Sequence, residues 1–179
     1  GLTFLHSNLG FHGNLKSSNC IVTSRWVLQL TDNGLHDLRK FFDTQLETDD
    51  RNRYFKNQLW RSPELLRDGH EAPGTKEGDI YAFGIMLHEI IGRQGPFSTD
   101  SYDSYSSEEI ITKVKNGKDD STGMLFRPNI LDLCNMPFSE NDKVRDAMRD
   151  SWSENPRDRP DIRSLRTRLK CMKEGKEGG

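Results

Sequence analysis

The longest apolar segment of the chain, IYAFGIMLHEII at residues 80–91, restricts the fold more than any other feature of the sequence. Its apolar residues recur at helical spacing and few polar residues interrupt the opposite face, which predicts a buried central helix beginning at Asp79. The segment is interrupted by His88 and Glu89 and is shorter than the roughly 18 apolar residues that span a bilayer. It therefore predicts the core of a soluble domain. The apolar positions behind this prediction are Ile80, Phe83, Leu87, Ile90 and Ile91.

Composition narrows the classes of partner. Lysine and arginine together number 26 and aspartate and glutamate 28, so the formal net charge of -2 offers no basic surface for nucleic acid or an anionic membrane. Three cysteines, an odd number without metal-ligand spacing, predict neither a disulfide framework nor a zinc site and favour a reducing compartment. We therefore expect no nucleic-acid partner and no direct membrane insertion by this segment.

Local patterns predict further elements. GLTFLH at the start is typical of the end of a helix, and two short runs, CIV at 20–22 and WVLQL at 26–30, predict a β-hairpin because they are rich in β-branched and aromatic residues. Ser106 with Glu109 predicts a capping box before IITKV, and Asn116-Gly117 predicts the end of that helix.

Apolar stripes predict two more helices near the end of the chain, while three charged regions, 35–78, 93–105 and 117–130, show few periodic signals and predict irregular loops. The stripes are Val144, Met148 and Trp152 in one helix and Ile162, Leu165, Leu169 and Met172 in the other.

Two residues whose side chains carry oxygen atoms flank the predicted hairpin. Asn19 immediately precedes its first strand and Asp32 follows its second, so an antiparallel pair brings them to the same end, where strands lie about 4.8 Å apart. Together they could hold Mg²⁺, which prefers carboxylate and carbonyl oxygens and keeps several waters or phosphate oxygens. Alternatively, both side chains only make the turn hydrogen bonds common for Asn and Asp. The spacing alone leaves both interpretations open.

Five motifs in order, HGNLKSSN, TDNG, SPE, DIYAFG and WSENPRDRP, resemble the C-terminal lobe of the protein kinase fold. One such motif would be a weak signal, but five in sequence are specific. The resemblance covers residues 1–172 and predicts a kinase-like C-terminal lobe, mainly α with a small β-hairpin within an α+β fold, without its N-terminal lobe. Residues 173–179 are predicted to be a polar tail leading to a linker.

The resemblance implies a degenerate catalytic loop. Active kinases carry H-R-D-L-x-x-x-N and D-F-G; here His12 is followed by Gly13 and by Asn14 at the position of the catalytic base. Asn19 and Asp32 match the metal-binding residues, and Lys16 matches a residue that contacts the transferred phosphate in many kinases, although a solvated loop lysine is nearly as good a reading. Because an Asn amide has no titratable site near neutral pH, the resemblance predicts a pseudokinase.

Other matches imply structural roles. Glu64 in SPE and Arg159 in DRP resemble a buried ion pair that ties the end of the activation segment to the last helices; the alternative is two surface charges. Asp79 is expected to cap the central helix and to accept hydrogen bonds from the catalytic-loop backbone near His12. Trp152 is expected in the core between the last helices.

Within the kinase-like proteins, HGNLKSSNC with TDNGL and LWRSPELLR is similar to the kinase homology domain of membrane-bound receptor guanylate cyclases. One departure is Asn33, where an aromatic residue is expected. The resemblance implies an N-terminal kinase lobe and a downstream cyclase domain as partners in the same polypeptide, a homodimeric receptor, and a place on the cytoplasmic side of the plasma membrane. It also implies ATP and Mg²⁺ as allosteric ligands of the complete two-lobed domain.

The leading hypothesis is therefore a regulatory pseudokinase domain that couples receptor state and ATP binding to cGMP synthesis by a cyclase domain. Two alternatives remain at this point: an active or residually active protein kinase with an unusual base, and a free-standing pseudokinase scaffold.

Overall fold

The structure, a computed structural model, describes residues 1–69, 72–99, 105–118, 123–130 and 142–174. The described part is mainly helical with one two-stranded antiparallel sheet, which confirms the predicted fold class. Its elements are α1 (Leu2–Asn8), β1 (Cys20–Val22), β2 (Leu28–Leu30), α2 (His36–Asp49), α3 (Arg51–Asn57), α4 (Pro63–Asp68), α5 (Lys76–Gly92), α6 (Ser107–Asn116), α7 (Asp142–Ser151) and α8 (Ile162–Glu174), with 3-10 turns at Ser17–Asn19, Pro96–Ser98 and Pro156–Asp158.

The predicted hairpin is present, with Cys20 opposite Leu30 and Val22 opposite Leu28. Its second strand is shorter than the WVLQL run, because Trp26 lies in the turn and has a φ of 59°. The Trp26 N–H donates to the Thr23 carbonyl at 2.9 Å, which closes the turn. This tight turn therefore connects the two strands of the hairpin.

The central helix, α5, is confirmed and buried, but two details of the prediction were wrong. It begins at Lys76 and is capped by Thr75, whose hydroxyl accepts from the Gly78 N–H at 2.9 Å, so Asp79 lies in the first turn rather than at the N-cap. Ile90 is exposed. The buried positions include Tyr81 and Ile85, because nearly every face of this helix is apolar and each packs against a different neighbour.

Three small clusters form the core around α5. Tyr81 and Ile85 pack with α6 and with Met148 and Trp152, while Ala82 and Met86 pack against Leu15 of the preceding loop. On a third face, Ile80 packs with Ala147 and Leu165. The predicted stripes of α7 and α8 are thus core contacts at Met148, Trp152 and Leu165; the side chain of Met172 lies outside the described residues.

Region 35–78 is not an irregular loop, as the sequence predicted, but contains α2, α3 and α4. Leu38, Phe41, Phe42 and Leu46 of α2 recur at helical spacing, but charged residues surround them and no residue of α2 is fully buried. Local caps define the helices that follow: the Asp50 carboxylate accepts from the Arg53 N–H, and Pro63 opens α4.

The later predictions hold with small changes of boundary. Ser106 and Glu109 form the predicted capping box, and Gly117 ends α6 with a φ of 85°. Short structured pieces interrupt the other two predicted loops, a 3-10 turn at Pro96–Ser98 and a bridge between Lys118 and Leu125. Helix α8 continues to Glu174, beyond the predicted start of the polar tail.

Candidate functional site

The Asp79 carboxylate anchors the loop that carries the candidate site. One of its oxygens accepts from the His12 backbone N–H at 2.6 Å and contacts the His6 ring nitrogen at 2.9 Å, and the other accepts from the Gly13 N–H at 2.9 Å. Asp79 is buried in the first turn of α5. The buried central helix therefore holds the conformation of the loop.

Glycine is required at both Gly13 and Gly74. Gly13 has a φ of +75°, in the region that favours glycine, and a Cβ placed on Gly74 would collide with the Gly13 Cα. The loop backbone therefore lies directly against residue 74, where side chains would not fit.

His12 is buried beneath the loop. Its Nδ1 accepts from the Asn14 backbone N–H at 3.2 Å. Burial lowers the pKa of His12, although the nearby Asp79 charge and the Thr31 backbone oppose that effect. The ring therefore has the character of a neutral structural support for the loop.

Asn14 lines a cavity of about 210 Å³, and its backbone carbonyl accepts from the Asn19 amide at 2.8 Å. The side chain of Asn14 carries no titratable group at this position. The loop thus keeps an internally hydrogen-bonded frame around a residue that cannot take a proton.

The structure brings Asn19 and Asp32 to the same end of the hairpin, as the sequence predicted. The Asn19 carbonyl accepts from the Thr31 N–H at 3.0 Å and from the Thr31 hydroxyl at 3.3 Å, and Asp32 is the next residue. Asp32 is exposed and has a φ of 64°, a left-handed conformation that is strained for most residues other than glycine.

The donor chemistry at this end of the hairpin fits Mg²⁺. The Asn19 amide nitrogen is engaged with Asn14, which leaves its oxygen as the atom that a cation would use, and Asp32 adds a carboxylate. Two oxygen side chains suit an ion held mainly by water and phosphate oxygens. Within the described ranges, no group of three or more His, Cys, Asp or Glu residues has a metal-binding arrangement.

Lys16 lines the same cavity as Asn14 and Asp32. Its Nζ donates to the Asn57 side-chain oxygen at 3.1 Å. Burial lowers the pKa of this ammonium group, and the charges of Asp43 and Asp32 counteract the effect. A partly buried cation with an uncharged hydrogen-bond partner favours a nearby anion.

Sequence reasoning missed the residues that α2 contributes to the cavity. Arg39, Phe42, Asp43 and Leu46 line it at the i, i+3, i+4, i+7 spacing of one helix face, and Arg61 lines it from the segment before α4. That spacing was a signal in the sequence. The many charged residues around it favoured the prediction of a loop instead.

The predicted ion pair between Glu64 and Arg159 is present away from the cavity. Two guanidinium nitrogens donate to the two carboxylate oxygens at 2.7 Å each, and the Arg159 side chain is fully buried. Arg159 also lies over the ring of Tyr81, 5.3 Å from its centroid, and Arg127 makes a similar contact at 5.6 Å. Burial raises the pKa of Tyr81 to about 12.

Comparison with known proteins places these features in context. Residues 1–169 match the family model described as protein tyrosine and serine/threonine kinase. The chain is 41% identical over 177 residues to a receptor-type guanylate cyclase, Gyc76C, of Drosophila melanogaster. The matched region covers 98% of this chain and 11% of that protein.

Two further relatives give the same result. Atrial natriuretic peptide receptor 2 of Anguilla japonica is 42% identical over 180 residues (99% of this chain, 16% of the relative), and the speract receptor of Strongylocentrotus purpuratus is 40% identical over 178 residues (98% and 15%). The chain thus spans only a small part of each curated relative. Across the described residues, no helix combines the length and apolar character needed to cross a membrane.

Proposed function

The chain belongs to the protein tyrosine and serine/threonine kinase family, and from this premise we propose that it is a catalytically inactive regulatory segment of a receptor guanylate cyclase. It would form the C-terminal lobe of a kinase-like domain that transmits receptor state to a cyclase domain of the same polypeptide.

The observation that carries the proposal is Asn14 within an otherwise ordered loop. Asp79, His12 and Asn19 hold the loop through hydrogen bonds, so its frame is intact. Asn14 nevertheless offers no group to accept a proton from a substrate hydroxyl. General base catalysis typically contributes about 10²- to 10⁴-fold to a rate, so phosphotransfer should fall at least that far. A loop that keeps its hydrogen bonds but carries Asn14 in place of the catalytic base favours a binding or signalling role.

We also propose ATP and Mg²⁺ as allosteric ligands of a domain that includes an N-terminal lobe. Asn19 and Asp32 would hold the metal ion, and Lys16 would contact phosphate oxygens. Mg²⁺, when bound, supplies positive charge that neutralises those oxygens. In support, Lys16 is a partly buried cation that benefits from an anion, and Asp32 has a backbone conformation common at functional sites.

The names of the relatives support the proposed setting. One is called a receptor-type guanylate cyclase, and others are called receptors for atrial natriuretic peptide or speract. By extension, we propose that this chain lies on the cytoplasmic side of the plasma membrane in a homodimeric single-pass receptor, between an N-terminal kinase lobe and a cyclase domain.

A segment exchange tests the coupling. The matching region of the speract receptor is replaced by this 179-residue chain, and cGMP synthesis is measured with and without the receptor's ligand. We expect ligand-stimulated synthesis to be retained, and to be lost in a matched exchange carrying Asp79→Ala, which releases the loop from α5. A correctly expressed chimera that keeps basal cyclase activity but ignores its ligand would contradict the proposal.

A further inference from the structure

A second cavity lies at the start of α5 and shares no lining residue with the cavity beside Asn14. It has a volume of about 510 Å³, within the roughly 300–1,000 Å³ typical of ligand pockets. Its walls come from the end of α1, the start of α5, the 3-10 turn at Pro156–Asp158 and the start of α8. Several of the lining residues are exposed, so the cavity opens to solvent as a groove, which we call the α5–α8 groove.

The floor of the α5–α8 groove is apolar. Ile80 is buried and packs in one cluster with Ile162, which is only half-buried. Pro156 and Pro160 also line the groove and are half-buried. An apolar side chain of a partner would cover these residues and remove the rest of their surface from water, which is favourable.

The rim of the groove carries positive charge that the protein itself does not pair. Lys76 and Arg157 are exposed, and among the described residues neither forms an ion pair or a side-chain hydrogen bond. Arg163, also exposed, donates to the uncharged Ser7 hydroxyl at 3.2 Å. These three cations are therefore available to an anionic partner.

Helix α8 extends this positive charge beyond the groove. Arg163, Arg166 and Lys170 recur at the i, i+3, i+7 spacing of one helix face, so they form an exposed row about 10 Å long. Residues 162–173 include no aspartate or glutamate that could offset the charge from the same helix. Although the formal net charge of the chain is -2, positive charge is thus concentrated on this face.

The carboxylates that line the groove offset this charge only in part. Asp161 is engaged at the start of α8, where one of its oxygens accepts from two backbone N–H groups of the first turn at 2.8 Å each. Glu77 is exposed and also lines the groove. The buried Arg159 is neutralised by Glu64. The three rim cations therefore exceed the negative charge available to them within the groove.

We propose that the α5–α8 groove binds an acidic segment of a partner protein, whose carboxylates pair with Lys76, Arg157 and Arg163 and whose apolar side chain covers the floor. Complementary charge favours this association and fixes its orientation. The concave shape and the apolar floor distinguish such a partner from other polyanions. A flat bilayer surface would not reach the floor, and a nucleic-acid backbone has no apolar side chain to cover it.

Fluorescence anisotropy tests the groove with the 179-residue chain and a labelled synthetic peptide in which glutamates flank a pair of leucines. We expect this peptide to bind about tenfold more tightly than either of two control peptides, one with glutamine for glutamate and one with serine for leucine. Each control lacks one half of the recognition. Added salt should weaken the binding of the glutamate peptide, since the rim is exposed. Equal affinity for all three peptides would overturn the proposal.

Substitutions at the rim locate the binding. Arg157→Gln with Arg163→Gln should weaken binding of the glutamate peptide about tenfold, because two ion pairs are lost. Arg157→Lys with Arg163→Lys keeps the charge and should retain most of the affinity. Arg25→Gln with Arg53→Gln is the matched control, since it removes the same charge from exposed positions outside the groove, and it should bind like the wild type.

Circular dichroism compares the fold of each variant with that of the wild type. If the glutamine double variant does not fold, the exposed Lys76→Gln takes its place and should also weaken binding. Equal weakening by the groove and control variants would show a response to net charge alone and would contradict the proposal.

Vesicles of phosphatidylcholine and phosphatidylserine are the second probe. Vesicle binding that depends on Arg157 and Arg163, without binding of the glutamate peptide, would assign this face to a membrane and overturn the proposal. We expect the peptide to bind and the vesicles not to compete with it. Because no cyclase takes part in these measurements, a negative result would leave the proposed function standing.

Discussion

Arg159 and Glu64, which lie 95 residues apart in the chain, form an ion pair through two hydrogen bonds of 2.7 Å each. Arg159 also donates to the carbonyls of Ser153 and Glu77 at 2.9 and 3.0 Å. One buried side chain thus joins the beginning of α4, the beginning of α5 and the turn before α8. The contact thus joins the SPE and DRP motifs.

We predict that Glu64→Ala and Arg159→Ala each lower the free energy of unfolding by about 3–5 kcal/mol, because either change leaves the other charge unpaired inside the protein. Arg159→Ala should cost more, since it also frees the two carbonyls. The double variant should cost less than the sum of the single ones. Urea denaturation measures all three, with exposed Arg157→Ala as the control. Additive effects would show that the two residues do not stabilise each other.

The same pair predicts a dependence of stability on pH. Burial alone would raise the pKa of Glu64, but the hydrogen bonds and charge of Arg159 outweigh it and lower the pKa below its ordinary value of 4.5. A carboxyl group with a lowered pKa stabilises the folded state above its unfolded value, and this contribution is lost as pH falls through the folded value. The stability difference between wild type and Glu64→Gln should therefore be constant near neutral pH and shrink below about pH 4.5. A difference unchanged down to pH 3 would contradict this origin.

Asp79 should be more important for stability than its acidic neighbour. Asp79→Ala leaves the backbone N–H groups of His12 and Gly13 without their acceptor, at about 1–3 kcal/mol each, or roughly 2–6 kcal/mol together. Asp79→Asn keeps one acceptor oxygen and should cost less. Glu77→Ala, an exposed position in the same turn of α5, is the control for denaturation experiments. Equal losses for Asp79→Ala and Glu77→Ala would mean that the loop does not rely on this carboxylate.

The sequence predicted those features that short-range patterns determine. The hairpin, α5 and the Ser106 capping box follow from local alternation, a long apolar run and a four-residue cap. The sequence predicted a start at Asp79 rather than a cap at Thr75, because Lys76, Glu77, Gly78 and Asp79 precede the first apolar residue, Ile80. Helix boundaries depend on backbone hydrogen bonds as well as on apolar residues.

The cavity could not be predicted in full, for a different reason. Lys16 and Asp32 were found through motifs, whereas Arg39 and Asp43 belong to a surface helix that contacts the loop only through the tertiary arrangement. The local sequence does not determine which loop a charged surface helix will pack against. The position of α2 therefore required the structure.

Asn14 at the motif position of the catalytic base predicts the result of a phosphotransfer assay. This chain, joined to an N-terminal kinase lobe, should transfer no phosphate to peptides above background, since Asn14 cannot accept the proton. Asn14→Asp alone should not restore full activity, because Gly13 and Asn33 also depart from the active pattern. The measurement is radiolabel transfer by protein free of contaminating kinases. Robust transfer by the unmodified protein would show that another group serves as the base.

Binding of ATP without turnover is the expectation for Asn19 and Asp32. If they hold Mg²⁺ with nucleotide, ATP should stabilise the two-lobed protein by mass action, about 2.7 kcal/mol at 100 times its dissociation constant. Asp32→Ala should remove most of this stabilisation, while Asp37→Ala, an exposed position on α2 outside the cavity, should retain it. Thermal unfolding with ATP and Mg²⁺ measures the three proteins.

In an intact receptor, Asp32→Ala should then weaken the effect of ATP on cGMP synthesis, because a ligand shifts an equilibrium only through its different affinities for the two states. The 179-residue chain alone should respond weakly, since the adenine would lack the covering lobe. If wild type and Asp32→Ala melt identically and without regard to ATP, the metal-binding residues have no ligand, and signalling through this domain must rely on packing between its helices and their neighbours.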